Sequence, residues 1–159
     1  MSDLESRVEA LEQRLRAVED ELAIHRVITR YGFAVDVGDA DRTAAVFAPD
    51  GVYDADVRLM QGREAVCDMV RSDRHQNMVG RCAHQIGPAV VHLDGDRAMA
   101  IGYSRVYLKE ADRIEVYRVS YNRWDLERRD GEWQIVHRRT RLLGHREAKQ
   151  VFRDCLDCI

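Results

Sequence analysis

Residues 114–143 read IEVYRVSYNRWDLERRDGEWQIVHRRTRLL. Two runs rich in β-branched and aromatic residues flank Asp130-Gly131, a dipeptide that closes hairpins because both positions tolerate positive φ. The same grammar extends upstream. Residues 84–93 read as a strand turned by Asp94-Gly95-Asp96, and residues 98–109 as the next, turned near 110–113. Residues 114–128 and 132–143 complete four strands. Each connection is too short for a crossover helix, so the expected arrangement is an antiparallel meander.

The first half reads differently. Residues 4–33 hold no proline, and no glycine before Gly32. Leu4, Val8, Leu11, Leu15, Val18 and Leu22 recur in steps of four and three, a heptad stripe flanked by Glu and Arg. It fits a helix lying on its own domain, or a short coiled coil or contact with a neighbouring subunit. An oligomer contact is the favoured reading, because three heptads are marginal alone. From Ile24 the spacing shifts: Ile24, Val27, Ile28 and Tyr31 form a face of 3.6-residue period that should pack on a core. Val37-Gly38-Asp39 breaks the helix. Asp39 or Asp41 can cap a second one running through Phe47, which Ala48-Pro-Asp-Gly51 stops. Residues 51–60 read as one strand and 62–70 as a helix. In residues 146–159, Val151, Phe152, Cys155, Leu156 and Ile159 stand at helical spacing, a tail or lid that could cover one end of the sheet.

Helices followed by a long twisted antiparallel sheet give an α+β fold. A curved sheet wrapped over helices makes a cone with an apolar pocket at its open end, where ligand sites favour concave ground. Expected boundaries are 1–23 for the heptad extension, 24–145 for the α+β domain and 146–159 for the tail.

Composition excludes several classes. The chain has 159 residues, 45% of them hydrophobic, and its 25 basic and 28 acidic residues leave a net charge of -3. That balance lacks the clustered positive charge of a nucleic-acid binder. No apolar run approaches the roughly 20 residues of a membrane span, and the charged N-terminus does not read as a secretory signal. A cytoplasmic protein that binds neither nucleic acid nor membrane is expected. Cys67, Cys82, Cys155 and Cys158 are expected to be free thiols, since Cys155-x-x-Cys158 has no second pair to complete a zinc site. The remaining histidines (His25, His75, His92, His137, His145) are scattered, so no metal site is expected.

The candidate chemistry rests on polar residues set among apolar ones. Asp36, in Tyr31-Gly-Phe-Ala-Val-Asp36, ends the apolar helix; it reads as a functional carboxylate or as an ordinary helix-end aspartate. A carboxylate among apolar neighbours costs several kcal/mol unless it is paired. His84 enters a strand. Paired with a carboxylate through one ring nitrogen, a histidine has its tautomer fixed and the other nitrogen free to act as a base. Ser120 and Asn122 share a strand face with Val116 and Trp124, while Tyr117, Val119 and Tyr121 take the other face. The pair could orient a substrate oxygen, or that face could meet water. Arg138 shares a face with Val136, Thr140 and Leu142 and could hold an anionic group, although Arg139 and Arg141 beside it suggest a solvated basic face.

Taken together, Tyr31…Asp36, Ala48-Pro49, Gly62-Arg63, His84 before a glycine and Asp130-Gly-Glu-Trp133 make the chain resemble the SnoaL-like branch of the nuclear transport factor 2-like superfamily. It is similar in particular to scytalone dehydratase and bile-acid 7α-dehydratase. The resemblance implies a cone-shaped α+β barrel, often trimeric, and acid–base catalysis without a cofactor. It puts Asp36 and His84 on the catalytic aspartate and histidine, Tyr31 on an active-site tyrosine, and Ser120 and Asn122 on a pair that binds a substrate carbonyl. There are departures. Two water-holding tyrosines are replaced by Val35 and Ala55, with Tyr53 a candidate substitute, and the family's second histidine falls near Glu110. The function expected is that of a dehydratase-type lyase or isomerase acting on a cyclic, apolar, carbonyl-bearing small molecule, in a homo-oligomer with a trimer favoured over a dimer. The alternatives are a polyketide cyclase, or a non-catalytic ligand-binding or assembly subunit such as the small subunit of a ring-hydroxylating dioxygenase.

Overall fold

The computed structural model describes residues 3–56 and 58–158. The elements run α1 (Asp3–Asp36), α2 (Ala40–Ala45), β1 (Phe47–Ala55), β2 (Arg58–Gln61), α3 (Gly62–Arg71), α4 (Asp73–Gln76), β3 (Cys82–Asp94), β4 (Arg97–Glu110), β5 (Arg113–Arg129), β6 (Glu132–Leu142) and α5 (Ala148–Arg153), with a 3-10 turn at Leu156–Cys158. The first two residues of the expected extension, and Ile159 of the expected tail stripe, lie outside the described residues.

The six strands form one sheet in the order β2-β1-β6-β5-β4-β3. β3 to β6 are the expected antiparallel meander. β1, however, joins β6 in parallel, placing Tyr53 beside Arg138. The edge strands β2 and β3 do not meet, so the sheet is a curved open wall rather than a closed barrel.

The helices sit against this wall because their apolar faces match it. Ile24, Ile28, Tyr31 and Val35 of α1 are buried with Phe47, Val66, Val70, Trp124, Leu126 and Ile135 in one core. Asp20 fastens α1 where it meets the sheet: its carboxylate accepts from Trp133 Nε1 at 3.0 Å and from Arg128 at 2.6 Å. N-terminal to Asp20, every described residue of α1 is exposed.

Three expectations about local structure need correction. The second helix ends at Ala45 rather than Phe47; Asp39 caps it, accepting from Arg42 N at 2.9 Å, and Pro49-Asp-Gly51 lies inside β1. Residues 51–60 form part of a hairpin, not one strand: β1 and β2 pair with Ala55 opposite Arg58, and Asp56 turns the chain with φ of 47°. The strand faces also shift at two bulges. In β5, Val106 pairs with Arg118 but Tyr107 pairs with Val116, so Tyr117 is the extra residue. Val116 is therefore exposed instead of sharing the inner face with Ser120 and Trp124. In β6, Asp125 pairs with His137 but Leu126 with Ile135, so Val136 is extra and Arg138 shares the inner face with Ile135 and Thr140. A bulge re-aims the side chains beyond it, which strict alternation cannot anticipate.

The tail packs on the outer sheet face, where Phe152 meets Tyr103 edge-on and Tyr121 at a tilt, with 5.0 and 4.8 Å between ring centroids.

Candidate active-site cavity

A cavity of about 280 Å³ lies between the last turns of α1, the β1–β2 hairpin, α3, α4 and the inner face of the sheet. That is near the lower end of the usual range for ligand pockets, roughly 300–1,000 Å³, and suits a molecule of one or two rings.

Asp36 is the last residue of α1, and His84 lies on the edge strand β3. A carboxylate at a helix C-terminus faces the negative end of the helix dipole, so Asp36 needs donors, and His84 supplies two. Asp36 Oδ1 accepts from His84 Nδ1 at 2.6 Å, and Oδ2 from the His84 backbone N–H at 2.7 Å. With the carboxylate ionised, the first bond requires a proton on Nδ1, which leaves Nε2 as the free nitrogen of a neutral ring. His84 lines the cavity; Asp36 stands behind it.

Gly32 makes this approach possible. A Cβ there would stand 3.1 Å from the His84 carbonyl oxygen. Gly32→Ala is accordingly expected to push β3 off α1. The expected cost is about 1–3 kcal/mol, the usual range for overpacking, read by thermal unfolding, together with loss of the paired His84 signal in NMR. A stability and a spectrum like those of the parent chain would show that the close approach is dispensable.

Cys82 completes a small cluster. Its thiol lies 3.5 Å from Asp36 Oδ1, and burial first, then the nearby carboxylate, pushes the thiol up to about 11. Asp36, Cys82 and His84 bring three metal-ligating atoms within 4.8 Å of one another. In the structure these atoms bond to each other as one hydrogen-bonded unit.

Opposite His84 stands a buried arginine in an aromatic cage. The Arg138 guanidinium lies 4.3 Å from the Tyr31 ring centroid, 4.6 Å from that of Tyr53 and 5.6 Å from that of Trp124. It is 2% exposed. It donates to Asn122 Oδ1 through Nε at 3.3 Å and one terminal nitrogen at 2.9 Å, while the other terminal nitrogen has no partner among the described residues. No carboxylate among the described residues pairs with it, so its field falls on the cavity, where the low dielectric strengthens it. The solvated-face alternative therefore fails for Arg138, although the neighbouring Arg141 turns away to Asp54 at 2.8 Å. Tyr31 stands edge-on to the rings of both His84 and Tyr53. Burial, reinforced by Tyr53 and opposed by Arg138, raises its hydroxyl above the usual tyrosine range, so it stays protonated.

Ser120 and Asn122 do not reach the cavity wall. Asn122 donates to Ser104 Oγ at 2.8 Å and accepts from Arg138 and from Thr140 at 2.9 Å, so its amide is fully engaged behind the cavity. Ser120 Oγ accepts from Arg118 Nε at 2.8 Å. The residues at the wall are Ser104, Thr140 and Arg138, with Asn122 fixing all three.

Two wall features carry no clear signal in the sequence. His75, on the four-residue helix α4, is buried in the wall with Nε2 2.8 Å from the Val35 carbonyl; only an apolar setting would have singled it out, and α4 is too short to show periodicity. Glu110, where the resemblance put a second histidine, instead ends β4 and pairs with Arg81 at 3.0 Å. The second feature is an ion pair between Arg118 and Asp56 that lines the cavity, with Asp56 Oδ1 also accepting from Leu142 N at 2.8 Å. Burial opposes ionisation of Asp56, but these bonds outweigh it and hold the carboxyl below its usual range. Because the folded-state value is depressed, the stabilisation is present above the unfolded carboxylate range, about pH 4, and is lost as pH falls through the lower folded value. Asp56→Asn should lower stability at pH 7 by about 1.5–3 kcal/mol, as for hydrogen bonds to charged groups, and the gap from the parent should close in acid. Unfolding curves across pH check this; a gap independent of pH would exclude the ion pair as its source.

Residues 16–139 match the family described as SnoaL-like domain. Among solved structures, the chain is 34% identical to a nuclear transport factor 2-like protein with a cystatin-like fold from Novosphingobium aromaticivorans, covering 89% of this chain and 94% of that one with a TM-score of 0.86. At 23% identity it shares its fold with Rv3472 of Mycobacterium tuberculosis, a protein of unknown function, over 90% of each chain with a TM-score of 0.74. A scytalone dehydratase-like protein of Novosphingobium aromaticivorans, 16% identical, covers 79% of this chain and 85% of that one with a TM-score of 0.66. No curated protein matches the chain. No helix among the described residues is long and apolar enough to cross a membrane. By sequence match and by fold, the chain belongs to the SnoaL-like family of the nuclear transport factor 2-like superfamily.

Proposed function

We propose that the protein is a cofactor-independent acid–base lyase of the dehydratase type, or an isomerase, acting on a cyclic, apolar, carbonyl-bearing small molecule. The observation that carries this reading is His84 on the cavity wall with Nδ1 bound to the Asp36 carboxylate and Nε2 left to meet a substrate.

In this mechanism His84 Nε2 removes the acidic C–H proton beside the substrate carbonyl, and the C–H electron pair passes to the carbonyl oxygen as an enolate. The positive field of Arg138 and the hydroxyl donors Tyr31 and Tyr53 stabilise that charge, the role of preorganised dipoles in a dry site. For dehydration, the enolate pair returns to form the C=C bond as the β-hydroxyl departs with the proton that His84 took, Tyr31 steadying it by a hydrogen bond, giving water and a neutral histidine. For isomerisation, the proton held on His84 returns at a different carbon. Asn122 is a positioning residue here, since it holds Arg138, Ser104 and Thr140 in place, and Ser120 holds Arg118. The assembly-subunit alternative calls for a cavity filled by bulky apolar side chains, whereas this one is open and lined by ionisable groups.

The test uses a panel of small cyclic ketones in heavy water, with NMR following exchange of the protons beside the carbonyl. The proposal expects exchange catalysed by the parent protein on at least one ring system and lost in His84→Gln. Exchange that persists in His84→Gln would overturn it.

A further inference from the structure

We propose that the projecting half of α1 is a parallel, in-register coiled-coil strand whose partner is a second copy of this chain. α1 leaves the domain at Asp20, and from Asp3 to Glu19 every residue is exposed. Along it Leu4, Val8, Leu11, Leu15, Val18 and Leu22 are 69, 46, 61, 58, 54 and 49% exposed. Six apolar side chains on one stripe in water call for a partner.

The stripe also points the right way. Successive helical residues turn by about 100°, so Val18 and Leu22 project roughly opposite to Asp20 and Ile24, which hold α1 to the sheet and core. A second helix can therefore lie along the whole stripe down to Leu22 without meeting the domain that carries it.

Charge complementarity identifies that helix and its direction. With Val8, Leu15 and Leu22 at the a positions and Leu4, Leu11 and Val18 at d, the g positions preceding each a are Arg7, Arg14 and Glu21. The e positions that a parallel partner sets against them, five residues on, are Glu12, Glu19 and Arg26. All three cross-pairs, Arg7–Glu12, Arg14–Glu19 and Glu21–Arg26, are of opposite sign, and the sign change at the third pair occurs on both sides at once. An antiparallel pair would instead set g against g and e against e, bringing Arg7 toward Arg14 and Glu12 toward Glu19. Flanking charges of this kind set partner choice and orientation in coiled coils.

The experiment uses the full-length chain. Sedimentation equilibrium should give a mass two or three times that of one chain. Leu11→Asp with Leu15→Asp should dissociate it, and so should Arg7→Glu with Arg14→Glu. Adding Glu12→Arg and Glu19→Arg to the latter should restore assembly, which a general loss of folding would not permit. Direction is read from Val8→Cys in a Cys158→Ser background: mild oxidation should link two copies through Cys at position 8 in a parallel pair. A monomeric parent chain, an assembly that survives the aspartates, or the absence of that crosslink while Val18→Cys crosslinks only to Val8→Cys would each overturn the proposal.

Discussion

His84→Ala is expected to lower turnover of the protein's substrate by at least 10²–10⁴-fold, the contribution of a positioned proton-transfer group, while leaving the fold intact. The fold should survive because His84 sits on the edge strand β3, and its side chain bonds to Asp36 rather than filling the core. Asp36→Asn should also lose activity, by a different route. An asparagine in that position can present its amide to His84 and favour the wrong tautomer, with Nε2 protonated and turned to the cavity as a donor. Kinetic constants of the two variants against the parent, with thermal unfolding as a control, make the measurement. Near-parental turnover in His84→Ala would remove the histidine from the mechanism.

Arg138→Met should show the opposite pairing of effects from a packing mutation. Turnover is expected to fall about 10²–10³-fold, as when one preorganised oxyanion stabiliser is removed. The melting temperature, however, should hold or rise. A buried guanidinium with no carboxylate partner among the described residues carries a desolvation cost that its Asn122 bonds and aromatic faces only partly offset, and apolar replacement of buried charge is often neutral or stabilising. Methionine keeps the length, and Thr140 still donates to Asn122. Arg138→Lys should not restore activity, because an ammonium cannot lie flat between two tyrosine rings while bonding Asn122 twice. A marked loss of stability with activity preserved would make Arg138 a structural residue instead. Natural sites often trade stability for function in this way.

The sequence carried the elements that are long and periodic. The four-strand meander follows from Asp94-Gly95 and Asp130-Gly131, and the 3.6-residue period of Ile24, Ile28 and Tyr31 matches residues that α1 buries. The features that define the cavity wall were harder to read, for identifiable reasons. The bulges at Tyr117 and Val136 leave no alternation to read, yet they decide that Arg118 and Arg138 face inward. The parallel pairing of β1 with β6 joins residues more than 80 apart and brings Tyr53 to Arg138. Ser120 and Asn122 could be assigned a face from spacing but not a depth; their partners show that they support the wall rather than form it. His75 depends on α4, four residues long, whose only local mark is the Ser72 cap. The pairing of Asp36 with His84 across 48 residues rested on resemblance, since spacing alone permits it without requiring it.

The central claim is that His84 is held by Asp36 with Nε2 free toward the cavity. Long-range ¹H–¹⁵N correlation NMR of the histidine ring, at a pH where the ring is neutral, reads this directly and needs no substrate. The result expected is a single His84 tautomer with the proton on Nδ1 and a bare Nε2, converting to the other tautomer or to a mixture in Asp36→Asn. A parent protein whose neutral His84 carries its proton on Nε2, or exchanges freely between the two nitrogens, would contradict the account.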